Sequence, residues 1–239
     1  MTLPHDQQLC QRRQELLDRI GEWCDQYGRA RECVRLLAVS KQFPAGDIQT
    51  LAGCGQLAFG ESYLKEAVEK LDTLAGLHLE WHFIGPMQSN KTRRIAERFA
   101  WVQSLDRLKI AQRLAEQRPA DLPPLNICLQ INISGETSKS GVEPAAAAEL
   151  AAAVAELPRL RLRGLMAIPA PTIQFGEQRR GFARLRELYE DLTAAGHALD
   201  TLSMGMSNDL EAAIAEGSTL VRVGTALFGQ RPPPADTPP

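Results

Sequence analysis

The sequence predicts an α/β protein, a single (β/α)8 TIM-type barrel with an extra N-terminal helix. Two observations carry this. Eight short apolar, strand-like runs alternate with longer amphipathic stretches, and the chain of 239 residues is long enough for one large α/β domain without comfortable room for a second. Alternating strand and helix patterns call for a parallel sheet, and closing eight such strands gives the barrel.

A helical pattern over about 7–27 comes first, with Asp6 placed to cap it. Strands follow at 36–40 (LLAVS), 57–61 (LAFGE), 81–85 (WHFIG), 101–105 (WVQSL), 126–133 (NICLQINI), 162–168 (LRGLMAI), 201–206 (TLSMGM) and 220–228 (LVRVGTALF). Helical patterns lie between them at 62–74, 88–99, 106–117, 143–156, 176–195 and 209–216. The alanine-rich stretch 145–155 needs no explanation beyond helix propensity. The barrel is expected to span 1–231. A Pro-rich tail over 232–239 is expected to be disordered, because prolines continue neither helix nor ladder and little there can be buried.

Composition narrows the function. The 27 basic and 29 acidic side chains leave a net charge of -2 with no long block of one sign, so no nucleic-acid or membrane surface is indicated. Cys10, Cys24, Cys33, Cys54 and Cys128 are odd in number and scattered, which argues against a disulfide framework and for reduced thiols. The four histidines, His5, His78, His82 and His197, form no ligand spacing, so a metal-dependent hydrolase or aldolase is disfavoured. The polar N-terminus lacks the apolar core of a signal peptide, no run approaches the ~20 residues of a membrane span, and a cytoplasmic location is expected.

In such barrels the chemistry sits at the C-terminal ends of the strands. Lys41 directly follows the first strand. It is either a solvated end-of-strand charge or an amine desolvated enough to attack an aldehyde. After strand seven, Ser207 and Asn208 precede a helical stretch in which Asn208 and Glu211 match a cap-and-N3 pair. After strand eight, Gly224 permits close backbone approach and Thr225 adds a hydroxyl. Those two loops read as ordinary capping plus a tight turn, or as the phosphate seat that barrels build after strands seven and eight. Arg222 interrupts an apolar strand and needs an acceptor: an acid such as Glu61 or Asp209, or the ring nitrogen of a pyridine cofactor. His82 either contacts a cofactor or satisfies a core hydrogen bond. Met166, Met204 and Met206 read first as barrel filler.

The segments AVSK (38–41), FGESY (59–63), WHFIGPMQSNK (81–91), INISGETSKSG (131–141), GLMAIP (164–169), LSMGMSNDLEAAIAEGST (202–219) and VRVGTALFGQR (221–231) together resemble the pyridoxal phosphate homeostasis protein family, related in fold to the barrel domain of alanine racemases. The resemblance runs from about Leu36 to Arg231. It implies pyridoxal 5'-phosphate (PLP) as cofactor, held as an aldimine on Lys41, with Ser207, Gly224 and Thr225 on the phosphate and Arg222 facing the pyridine nitrogen. His82 and Met204 join the expected cofactor-binding set, and Lys139 is implied as a secondary cofactor-holding lysine. The chain departs from the family at Ser62, where Asn is usual, and at Gln42-Phe43-Pro44, where a second basic residue often follows the lysine. The implied role is a monomeric cofactor carrier or buffer in intracellular homeostasis, with apo PLP enzymes as recipients and no catalytic residues. A PLP-dependent amino-acid racemase is the alternative. It would need a second acid/base opposite Lys41, which alanine racemases take from a further domain that the barrel and Pro-rich tail do not supply.

Overall fold

The computed structural model describes residues 3–136 and 140–230, so Lys139 and the tail over 232–239 lie outside the described residues. Eight parallel strands close on themselves in sequence order: β1 (Arg35–Val39), β2 (Ala58–Glu61), β3 (Glu80–Phe83), β4 (Trp101–Leu105), β5 (Leu125–Gln130), β6 (Leu160–Met166), β7 (Thr201–Ser203) and β8 (Leu220–Val223). The closing pair sets Leu37 of β1 opposite Arg222 of β8. The predicted barrel is therefore the observed one. Its helices are α1 (His5–Gln26), α2 (Ala45–Gly53), α3 (Leu64–Thr73), α4 (Thr92–Arg98), α5 (Leu108–Gln117), α6 (Ala147–Ala155), α7 (Phe175–Ala194), α8 (Leu210–Ala215) and α9 (Thr225–Phe228).

Several boundaries differ from expectation, each for a local reason. The last apolar run is strand only to Val223; Gly224 then turns the chain and TALF becomes the single helical turn α9. β7 stops at Ser203 because Gly205 takes a φ of +97° and lies so close to α8 that a Cβ there would sit 2.6 Å from that of Ala213. β5 ends at Gln130, leaving Ile131 to an isolated bridge with Val142. α2, with two glycines in nine residues, was not foreseen. Pro4, not Asp6, stands at the N-cap of α1, and Asp6 instead accepts a hydrogen bond from Thr50 at 3.1 Å. Asp209, not Asn208, begins α8.

Period-2 alternation along each strand divides the interior into two unlike layers. Leu36 and Ala38, Leu202 and Met204, and Val221 and Val223 point outward into the large apolar core shared with the helices. The positions between them point inward, where the apolar groups are few: Leu37, Ala58 and Leu220 in one cluster, Trp101, Cys128 and Met166 in another. The rest of the barrel interior includes buried polar side chains, His82, Gln103, Ser203 and Arg222.

α1 closes the seam between the first and last parts of the barrel. Arg12 donates to the Leu227 carbonyl at 2.8 Å, and Arg29 donates to the carbonyls of Ile214 and Ser218 at 2.7 and 2.8 Å. Cys10 of α1 and Cys54 after α2 are joined as a disulfide, their Cα atoms 5.8 Å apart. This corrects the expectation of five reduced thiols. The two cysteines lie 44 positions apart in sequence, and packing of α1 on α2 brings them together. Cys24, Cys33 and Cys128 are free. No helix of the described residues is long and apolar enough to cross a membrane.

Candidate cofactor site at the barrel mouth

At the C-terminal ends of the strands, Lys41, Ser62, Ser207, Arg222, Gly224 and Thr225 line one pocket of about 180 Å³, with Val39 and Met166 among its apolar walls. Five of the seven residues expected to bind cofactor thus converge on a single space, and Ser62 shares it. A larger depression of about 550 Å³ lies between the start of α2 and α3, but it does not include Lys41 or the loops after β7 and β8.

Lys41 follows β1 in a turn that is held from behind. The Ser40 hydroxyl donates to Glu61 Oε1 at 2.7 Å and the Gln42 amide donates to Glu66. Lys70 Nζ donates to the Ser40 carbonyl, to Glu61 and to Glu66, at 2.7, 2.7 and 2.6 Å. Gln42 adopts a φ of +66°, a left-handed conformation uncommon for a residue with a side chain, and the Glu66 contact steadies it. Burial raises the Glu61 carboxyl above its usual range while Lys70 and Ser40 pull it back down. Sequence reasoning missed this cluster, because Glu66 and Lys70, spaced i,i+4, carry the pattern of an ordinary surface helix pair.

The loops after β7 and β8 meet across the mouth. Ser207 is exposed in the turn that Gly205 allows, and the Asp209 carboxylate accepts the Met206 amide to fix that turn. Gly224 opens the single helical turn α9, and Gly224 and Thr225 line the same pocket. Arg222 lies below, only 4% exposed. Its Nη1 donates to Ser203 Oγ at 2.7 Å and its Nη2 to the Ala167 carbonyl at 2.9 Å. Glu61 pairs with Lys70 instead, and Asp209 acts on the guanidinium only at longer range. Burial pulls Arg222 down to about 10, which leaves it protonated at neutral pH.

His82 and Met204, both counted at the site from sequence, are not among the residues lining this pocket. His82 is fully buried inside the barrel, stacked on Trp101 with ring centroids 5.1 Å apart. Its Nε2 bonds Glu80 and its Nδ1 bonds Gln103, both at 2.8 Å. Met204 is one residue out of phase with the inward-facing Ser203 and packs into the outer core. Of the other methionines, Met166 fills the barrel and Met206 borders the mouth. Among the described residues no group of three His, Cys, Asp or Glu side chains is placed to hold a metal ion.

The donor set fits a phosphorylated pyridine aldehyde: an amine at Lys41, the hydroxyl-bearing Ser207 and Thr225 with Gly224 in adjacent loops, and a buried guanidinium with N–H groups beyond the two already bonded. The family described as alanine racemase, N-terminal domain, matches residues 22–232. A pyridoxal phosphate homeostasis protein of Pseudomonas aeruginosa is 62% identical over 213 residues, covering 89% of this chain and 91% of that protein. The chain belongs to the pyridoxal phosphate homeostasis protein family.

A second member of that family, from Escherichia coli K12, is 53% identical over 220 residues, covering 91% of this chain and 94% of its own. Among solved structures, PipY of Synechococcus elongatus with PLP bound superposes with a TM-score of 0.80 at 33% identity, over 92% of this chain and all of that one. The alanine racemase of Corynebacterium glutamicum shares the fold at a TM-score of 0.67 and 19% identity, over 85% of this chain and 59% of that one.

Proposed function

We propose that this chain is a monomeric cytoplasmic carrier or buffer of PLP, which it binds covalently through the Lys41 amine and hands on to apo PLP enzymes. PLP supplies an aldehyde that condenses reversibly with a primary amine. Ser207, Thr225 and the backbone at Gly224 hold the phosphate. Arg222, protonated at neutral pH, donates a hydrogen bond to the ring nitrogen without giving up its proton, so the ring is kept a weak electron sink. The observation that carries this reading is the convergence of Lys41, the two donor-bearing loops and Arg222 on one pocket.

The carrier role rests on what faces that pocket. Among the described residues lining it, Lys41 is the one lysine, and no carboxylate, imidazole, thiol or phenol stands opposite it. A two-base racemase needs an opposing group, and a positioned acid or base typically contributes 10²–10⁴ in rate. The homeostasis names of the relatives support the same direction. The test is to incubate PLP-loaded protein with an apo PLP enzyme and, separately, with each common L-amino acid. Transfer of cofactor with turnover far below the ~10 s⁻¹ of a median enzyme is expected. Turnover near that value, without transfer, would replace the carrier by the racemase.

A further inference from the structure

A continuous chain of hydrogen bonds, buried except at its Glu80 end, runs through the barrel from its lower face to its mouth. Arg222 Nη1 donates to Ser203 Oγ at 2.7 Å, and the Ser203 hydroxyl donates to Gln103 Oε1 at 2.6 Å. Gln103 Nε2 donates to His82 Nδ1 at 2.8 Å, and His82 Nε2–H donates to Glu80 Oε1 at 2.8 Å. The residues come from β8, β7, β4 and β3, so no stretch of sequence contains the chain.

Its polarity admits one solution. A guanidinium only donates, so Ser203 accepts from Arg222, and because the Gln103 atom that meets it is Oε1 its own proton goes there. The Gln103 oxygen is then occupied, and its amide hydrogen goes to His82. His82 is thereby neutral, with its proton on Nε2 and directed to Glu80. Burial lowers the imidazole's proton affinity and keeps it in that form. Burial would raise the Glu80 carboxyl, but the bonds from His82 and Arg35 outweigh it and hold the group at about 2, so this end is an anion. Three dipoles, those of Ser203, Gln103 and His82, are aligned head to tail by four hydrogen bonds between a cation at the mouth and a carboxylate at the opposite end, where each bond polarises the next.

The two ends open on different spaces. Arg222 lines the mouth, whereas His82 lines a second cavity of about 350 Å³ at the N-terminal ends of the strands, together with Arg35, Trp101, Arg163 and Asp200. Glu32 and the free Cys33 thiol line the same lower cavity, and the remaining charges there are paired. Arg35 bonds Glu80 at 2.7 Å, and Arg163 lies over the Trp101 ring while bonding Asp200. At the upper end, Asp209 and the Cys128 thiol are the titratable groups that act on Arg222.

We propose that Glu80 and His82 are positioning residues for the cofactor site, acting through Gln103 and Ser203 to fix the orientation and charge of Arg222, so that a change at the lower face of the barrel is felt at the ring nitrogen. This rests on the reading of the mouth as a PLP site. The pyridine-facing arginine is then held by an internal wire, while the Asp209 carboxylate acts on it only at longer range.

The experiment compares wild type with Glu80→Gln, which keeps an oxygen acceptor for His82 but removes the charge, with His82→Phe, which cuts the chain, and with Arg163→Gln, which alters the same lower cavity without touching it. Each is loaded with PLP and the visible absorbance of the bound cofactor is titrated over roughly pH 6–9. Removing the anion leaves the guanidinium potential at the ring stronger. Cutting the chain at His82 takes away the polarisation by which the anion reaches Arg222, so the spectral midpoint moves down in both Glu80→Gln and His82→Phe, by about half a unit or roughly threefold in proton affinity, while Arg163→Gln overlays wild type. Should His82→Phe not fold, Glu80→Gln decides alone. Independently of cofactor, ¹⁵N spectra of the His82 ring should show a neutral imidazole protonated on Nε2. A wild-type protein that takes up no PLP overturns the reading of the mouth and the wire's purpose together. A normally loaded wild type whose midpoint the variants share overturns the wire alone, as does a His82 ring protonated on Nδ1.

Discussion

Lys70 Nζ lies 2.7 Å from the fully buried Glu61 carboxylate, and the same ammonium holds the Ser40 carbonyl, one residue before Lys41. Removing one partner of such a pair strands the other charge, at a cost of about 3–5 kcal/mol. Lys70→Met should therefore lose stability of that order in denaturant unfolding. The loss should also depend on pH. Burial already raises Glu61 above its unfolded value, so its contribution is fully present below about 4.5 and declines as pH rises through the folded value. Without Lys70 that value climbs further, so the variant should be weaker at pH 8 than at pH 5. Equal losses at both would mean that Glu61 is not ionised in the parent.

Borohydride reduction of PLP-loaded protein, followed by peptide mass spectrometry, should place a pyridoxyl phosphate adduct on Lys41, and Lys41→Ala should not turn yellow. A stable adduct on a different lysine alone would move the site away from the end of β1.

Ser207→Ala should weaken PLP binding by roughly ten- to a hundredfold, since a hydrogen bond to a charged phosphate contributes about 1.5–3 kcal/mol. Thr225→Ala should act in the same direction. Unchanged affinity in both variants would take the phosphate out of the loops after β7 and β8.

The disulfide between Cys10 and Cys54 closes a loop of 44 residues and ties α1 to the end of α2. Reduction should cost about 2–4 kcal/mol, read as a lower melting temperature with dithiothreitol. Cys10→Ser should melt at the lower temperature with or without reductant. A parent protein insensitive to dithiothreitol, with both thiols alkylated when unfolded without it, would remove the bond.

How legible these features are in sequence follows from how local they are. Lys41, Arg222, Ser207 and Gly224-Thr225 each stand in or directly after an apolar strand, where a polar or small residue is conspicuous. The parity of β7 was the harder matter. Ser203 and Met204 are neighbours, and choosing which one faces inward reverses the assignment of both. Gln103 sits inside WVQSL and meets Ser203 a hundred positions later, so its role depends on the closed barrel. Lys70 looks like a surface charge until α3 is laid against β1 and β2. α2 is disguised by its glycines, and the partnership of Cys10 with Cys54 is visible only once α1 lies against it.

The clasp formed by α1 also has a consequence for biosynthesis. Arg12 of α1 and Arg29 just after it bind carbonyls 185 to 216 positions downstream, and β1 finds its second neighbour only in β8. As the chain leaves the ribosome, α1 and the open edge of β1 must wait for nearly the whole polypeptide before either is satisfied. Loop-closure entropy over such separations makes this last step slow. Until it occurs, the nascent chain presents an unpaired strand edge, the feature that chaperones shield and that aggregation exploits.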